Sequence, residues 1–283
     1  MRYTISCCTL FTFCLLLLVS TYSQETKIPY GHNKEAGVFY EIRGMKMYCE
    51  IYGEGQPLLI IHGNGGSIAD FTNQIPFFAK KYKVIVADNR AQGQSTDMGD
   101  SLSYEMMADD YAELLSTLKI DSAYVVGWSD GGINALLLAI RHPEKVKKLA
   151  STGANLQADT TAVYDEVFAL VRPTYNFLKN IKVKNLEQKA SWKLVRLLME
   201  EPNIPLTELH KIKCPSLIIG GDHDVIKEEH TMLIYKNIPL SYLWILPNSG
   251  HSTPIVYKDE FNKVVDDFFS KPYRVIRKEA RFN

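Results

Sequence analysis

The stretch AYVVGWSDGGINALLLAI, residues 123–140, constrains the fold more than any other part of the chain. A short β-branched run passes directly into a long apolar helical segment, with glycines at 127, 131 and 132. A strand that turns at once into a helix crosses a strained backbone position whose close neighbours leave no room for a side chain. With Ser129 at the tip, the positions two before and two after it are Gly127 and Gly131. With Asp130 at the tip, Trp128 would stand two residues before it and clash. The spacing therefore puts Ser129 at the tip and Asp130 in the first residue of the helix. A strand feeding straight into a covering helix is also the repeating unit of a parallel sheet.

The rest of the chain fits that unit. GVFYEIRGMKMYCEIY (37–52) alternates around Arg43-Gly44 and predicts a β-hairpin. PLLIIH (57–62), KVIVAD (83–88), AYVVG (123–127), KLAST (148–152), SLIIGG (216–221) and YLWIL (242–246) are short apolar runs expected of buried parallel strands. Met107, Tyr111, Leu114, Leu115 and Leu118 fall on one face of a helix, as do Phe261, Val264, Val265, Phe268 and Phe269. Between 157 and 211 no strand is evident, and AVYDEVFALV and SWKLVRLLME read as helices. An ordinary pair of covering helices would leave a connection well above the usual length, so this segment is expected to be a helical cap. The fold class is thus α/β, a mostly parallel sheet with helices on both faces and a short cap. Its core is split into 24–156 and 212–270.

The two ends stand apart from this core. Arg2, the apolar run Leu10–Val19 and the small residues around Ser23 have the build of a secretory signal peptide over 1–23, which predicts a secreted or periplasmic protein with no stable membrane insertion after cleavage. Residues 271–283 hold five basic residues and one acid and are expected to be a solvated tail. Removal of 1–23 leaves only Cys49 and Cys214, too few for a disulfide framework. Lys and Arg together number 32, as do Asp and Glu, so nothing in the charge balance suggests a nucleic-acid partner. A small molecule is the expected ligand, and oligomeric state is not specified.

A serine hydroxyl is a weak nucleophile at neutral pH and needs a base. His251, in LPNSGHSTP, follows the last apolar strand, and parallel strands bring their C-terminal ends to one edge. His32, His142, His210, His223 and His230 are read as surface residues, and His62 as packing its own loop. The imidazole needs a carboxylate to hold its tautomer, and both Asp222 and Asp224 follow the preceding strand. Attack on a carbonyl also needs donors for the oxyanion. The backbone N–H of Asp130 is one, and that of Asn64 in HGNGG (62–66) is the other, with Gly65 in reserve. Asp130, Trp128 and Gly65 are the candidate substrate contacts. No metal or organic cofactor is required by this chemistry.

In their order and context, HGNGG, DNRAQGQS (88–95), GWSDGG, GGDHD and SGH resemble the α/β-hydrolase fold enzymes, over roughly Tyr40 to Ser270. The resemblance implies Asp224, the second aspartate of G-D-x-D, as the triad acid beside Ser129 and His251. Ala91 departs from the pattern, which commonly has glycine there. GWSDGG with RHPEKVKKLASTGAN is similar to the biphenyl hydrolase-like, or valacyclovir hydrolase, branch. That likeness implies amino-acid esters as substrates and the Asp130 carboxylate as the ammonium site. An acid in a helix's first turn is also favourable without any ligand. The leading reading is a secreted serine hydrolase of small carboxylic esters working through an acyl-enzyme. The alternatives are a meta-cleavage-product C–C hydrolase with the same triad, or a non-catalytic small-ligand receptor on a hydrolase scaffold. A pure binder needs no activated serine.

Overall fold

A computed structural model describes residues 28–275. The expected signal peptide and residues 276–283 of the expected tail lie outside the described residues. The strands are β1 (Gly37–Ile42), β2 (Met45–Tyr52), β3 (Gln56–Ile61), β4 (Tyr82–Ala87), β5 (Ala123–Trp128), β6 (Val146–Thr152), β7 (Ser216–Gly221) and β8 (Ser241–Leu246). They form one sheet in the order β1-β2-β4-β3-β5-β6-β7-β8. The hairpin β1–β2 pairs antiparallel and β2 meets β4 antiparallel; every later pairing is parallel.

Strand side chains alternate between two apolar layers, as a sheet covered on both faces requires. Leu59, Ile61 and Val125 join the layer that holds Tyr111 and Leu114 of α2 (after the short α1, Ile75–Phe78), which spans Tyr104–Thr117, and Leu136 of α3, Asp130–Arg141. Leu58, Ile60 and Val126 face the opposite layer, with Phe71, Phe78 and the Phe261 and Phe269 rings from the C-terminal helix.

Between β6 and β7 lie α4 (Asp165–Lys179), α5 (Leu186–Glu200) and the short α6 (Leu206–Leu209). The first of these starts three residues later than AVYDEVFALV suggests, because Ala162 and Val163 are occupied in a turn and a bridge to Ile226. After β7 come α7 (Glu228–Asn237), α8 (Thr253–Val256) and α9 (Lys258–Ser270). One surface assignment is corrected here. His230, in the first turn of α7, is buried, and its Nε2 accepts the Leu156 N–H at 2.9 Å. Burial lowers its pKa to about 4, so it stays neutral. Its charged sequence neighbours face outward while its own side chain packs inward.

The tight turn after β5 is where the backbone is most constrained. Ser129 has φ 58° and ψ −123°, a conformation costing about 1–3 kcal/mol that only dense surroundings maintain. A Cβ on Gly127 would lie 2.0 Å from the Gly131 carbonyl oxygen, and one on Gly131 equally close to that of Ile61. Strand, turn and helix are thus in backbone contact. Gly127→Ala is expected to cost about 3 kcal/mol or more, because backbone rather than a mobile side chain must yield. A denaturant midpoint equal to wild type would contradict this packing.

Candidate active site

The C-terminal ends of β3, β5, β6, β7 and β8 meet at one edge of the sheet, and the candidate residues gather there. His251 Nδ1 lies 2.6 Å from Asp224 Oδ1, and its Nε2 lies 2.9 Å from Ser129 Oγ. A carboxylate only accepts, so Nδ1 carries the proton and Nε2 is left to accept the Ser129 hydroxyl. Asp224 is buried and also accepts the Ile226 N–H at 3.1 Å, which fixes its carboxylate. Asp222 is placed elsewhere. It accepts from His223 Nδ1 at 2.9 Å and from the Ser249 N–H at 3.0 Å, closing the turn that carries the histidine loop.

The glycine loop passes beside Ser129: a Cβ on Gly63 would approach the serine Cβ to 3.1 Å. His62 anchors the loop. Its Nε2 accepts the Asn89 N–H at 2.8 Å and its Nδ1 donates to the Gly63 carbonyl at 2.8 Å. Among the described residues the backbone N–H groups of Asn64 and Asp130 have no partner, whereas that of Gly65 is committed to Gln92 Oε1 at 2.6 Å. Gly65 is therefore not free to act as a reserve donor. Ala91 in the neighbouring loop sits at φ 60°, the left-handed region that explains why glycine is common there.

Asp130 is 2% exposed, and its Oδ2 accepts from the Asn64 side-chain amide at 2.9 Å. The Tyr104 hydroxyl lies close enough to favour its ionised form. Burial outweighs both and pushes the pKa from an ordinary 3.8 up to about 6. Asp130 and Ser129 open into a cavity of about 230 Å³. Val167, Phe168 and Val171 from α4 and Leu198 from α5 form much of its apolar wall, and Glu201 brings a second carboxylate to it. No lysine or arginine lines it among the described residues. Trp128 and Gly65 do not line it either, which corrects their assignment as substrate contacts. The Trp128 indole donates to the His251 carbonyl at 2.8 Å, so it positions the histidine loop.

Helix α5 is tied to the rest of the molecule by charge as well as by apolar contact. Lys193 of α5 is buried and pairs with Asp97 at 2.9 Å. Asp97 also holds Arg90 at 3.1 Å, and Arg90 donates both Nε and Nη2 to Asp110 at 2.7 Å. Neither this chain nor the roles of Tyr104, Glu201 and the Asn64 side chain has a local signal, since each contact joins residues far apart in sequence. Among the described residues no group of three or more His, Cys, Asp or Glu side chains could hold a metal ion. Cys49 and Cys214 are buried and unpaired.

Residues 56–177 match the profile of the α/β hydrolase fold family. Serine hydrolase BPHL of Homo sapiens is 28% identical over 247 residues, covering 80% of this chain and 84% of that protein. The 2-hydroxymuconate semialdehyde hydrolase of Pseudomonas sp. (strain CF600) is 27% identical over 259 residues, 81% of this chain and 92% of its own length. Among solved structures, the esterase EaEST from Exiguobacterium antarcticum superposes with a TM-score of 0.70 at 25% identity, over 83% of this chain and all of that one. Fold and sequence agree: the chain has the α/β hydrolase fold, and its sequence is similar to the BPHL branch of those enzymes.

Proposed function

We propose that the protein is a serine hydrolase of small carboxylic esters, with Ser129, His251 and Asp224 as its triad. The observation that carries the reading is the unbroken hydrogen-bonded chain from Ser129 Oγ through the imidazole to Asp224. His251 Nε2 takes the hydroxyl proton as Oγ attacks the ester carbon. The oxyanion is received by the N–H groups of Asp130 and Asn64, each such donor contributing about 3–4 kcal/mol. His251 then protonates the leaving alcohol, and water hydrolyses the acyl-Ser129 by the same base. Residues 1–23 have the build of a signal peptide, which would place this activity outside the cytoplasm.

The cavity's chemistry supports a neutral or cationic substrate with a small apolar group. Two carboxylates and a tyrosine hydroxyl meet its contents; Glu201 is paired with Arg196 at 3.3 Å, while Asp130 has no lysine or arginine partner among the described residues. An ammonium about 4 Å from the Asp130 carboxylate would gain about 1–4 kcal/mol. An amino-acid ester therefore suits the site. The Pseudomonas relative is named for 2-hydroxymuconate semialdehyde, whose muconate part carries a carboxylate. Such an anion would meet the buried Asp130 carboxylate, which has no lysine or arginine partner among the described residues, and this weighs against that activity here.

Rapid mixing with a nitrophenyl ester tests the acyl-enzyme route. The expected trace is a burst of nitrophenol of about one equivalent per chain, followed by slower steady turnover. Faster turnover of a vinylogous diketone than of any nitrophenyl ester would instead favour C–C hydrolysis.

A further inference from the structure

The far end of the α4–α5 hairpin presents apolar side chains to solvent with a ring of lysines around them. Phe177, Val183 and Leu186 stand there, with Met98 across a depression it shares with Leu186, and all four are 64–88% exposed. Soluble chains seldom display several large apolar side chains together unless something covers them. Lys179, Lys182 and Lys184 surround the tip, and none pairs with a carboxylate among the described residues. Lys179 instead bonds the Tyr175 hydroxyl at 3.2 Å, and Lys184 the Ile181 carbonyl at 2.8 Å. The neighbouring acids are already engaged, Asp100 by Lys189 at 2.9 Å and Asp97 by Lys193 and Arg90. Glu187 is the one acid of the tip without a cation. The hairpin is stiffened by the Tyr175 and Trp192 rings, 5.4 Å apart.

Apolar side chains at a tip, flanked by free lysines, match the interface of an anionic bilayer: hydrocarbon below, phosphate at the level of the ammonium groups. A second copy of the chain fits worse, because a two-fold contact through this tip would set the lysines of one copy against those of the other. We infer that the tip of the α4–α5 hairpin docks on an anionic lipid bilayer, with Phe177, Val183 and Leu186 in the headgroup region and Lys179, Lys182 and Lys184 on lipid phosphates. The contact is peripheral. It is independent of which ester the cavity takes.

Co-sedimentation of the full chain with phosphatidylcholine vesicles, with and without phosphatidylglycerol, tests this. The anionic vesicles are expected to bind the protein much more strongly, and raised salt to release it. Lys182→Glu with Lys184→Glu should weaken that binding by about 25-fold or more, and Val183→Asp should weaken it too. Residues 1–27 are common to all these chains, so the differences report the tip. A local readout guards against a silent background: the tryptophan of Val183→Trp should shift to the blue on anionic vesicles, and that of Phe39→Trp, exposed on β1, should not. Hydrolysis of a soluble ester should be the same in all variants, showing that they fold. Equal binding of wild type and tip variants, equal binding to both vesicle types, or a blue shift at position 39 alone would overturn the assignment. So would a concentration-dependent dimer that Val183→Asp abolishes, which would make a second copy the occupant.

Discussion

Ser129→Ala lowers kcat/KM for an activated ester by about a thousandfold or more, and His251→Ala does the same. The two losses do not add, because each variant removes the same event: the hydroxyl cannot be deprotonated without the imidazole, and the imidazole has nothing to deprotonate without the hydroxyl. The double variant should therefore be about as slow as either single one. What survives in all three is catalysis by the N–H groups of Asn64 and Asp130, which polarise the carbonyl whether or not a serine attacks it. Ser129→Ala removes only a hydroxyl from the 2.9 Å contact, whereas His251→Ala leaves the buried Asp224 carboxylate with the Ile226 N–H alone. Circular dichroism near wild type in both, with a denaturation midpoint near wild type in Ser129→Ala and a lower one in His251→Ala, alongside the lost turnover, completes the expected result. A single variant retaining a tenth of wild-type kcat/KM would contradict the triad.

Asp130→Asn is expected to stabilise the protein while changing what it hydrolyses. The carboxyl titrates near 6 in the folded chain against an ordinary 3.8, because it is buried. A folded state that holds its proton more tightly than the unfolded one loses stability as pH rises between those two values. Above pH 6 the full cost is in place, about 3 kcal/mol for a shift of roughly two units. An asparagine keeps an acceptor for the Asn64 amide without the charge. Urea denaturation should find Asp130→Asn more stable than wild type by about 3 kcal/mol at pH 7.5, with the gap closing toward pH 4. The kinetic side has its own signature. The variant should lose about 5- to 1000-fold on an amino-acid ester, the span set by an ion pair worth about 1–4 kcal/mol, and far less on the same ester without its amine. In wild type the preference for the aminated ester should peak near pH 7. It fades below about 6 as Asp130 takes its proton, and above about 8 as the α-ammonium gives its own up. Equal losses on both esters would defeat the ammonium site while leaving the stability argument standing.

How far the fold could be read from the sequence depended on how local each signal was. The β-strands were legible because apolar runs between turn residues need no distant partner to be recognised. The strained turn at Ser129 was legible because Gly127 and Gly131 are within two residues of it. The convergence of His251 on Ser129, 122 residues away, followed from parallel topology alone. Asp222 and Asp224 satisfied the spacing equally. Only the structure shows Asp224 on the imidazole and Asp222 on the turn beneath. His230 reads as a surface residue because Lys227, Glu228 and Glu229 precede it, but charged neighbours do not decide its direction: its ring turns inward to accept the Leu156 N–H, a partner 74 residues away. The link from Asn64 to Asp130 crosses 66 residues and leaves no pattern in either segment. The bond from the Trp128 indole to the His251 carbonyl spans 123 residues and leaves no pattern in either segment.

The central claim is that the Ser129 hydroxyl is deprotonated by His251 and is the atom that takes the acyl group. A fluorophosphonate reports this directly, since it phosphonylates only a serine that has an active base. Mass spectrometry of the digested protein should find one adduct, on the peptide carrying Gly127-Trp128-Ser129-Asp130, absent from Ser129→Ala and strongly reduced in His251→Ala. An adduct on another residue, or undiminished labelling of the Ser129→Ala protein, would contradict it.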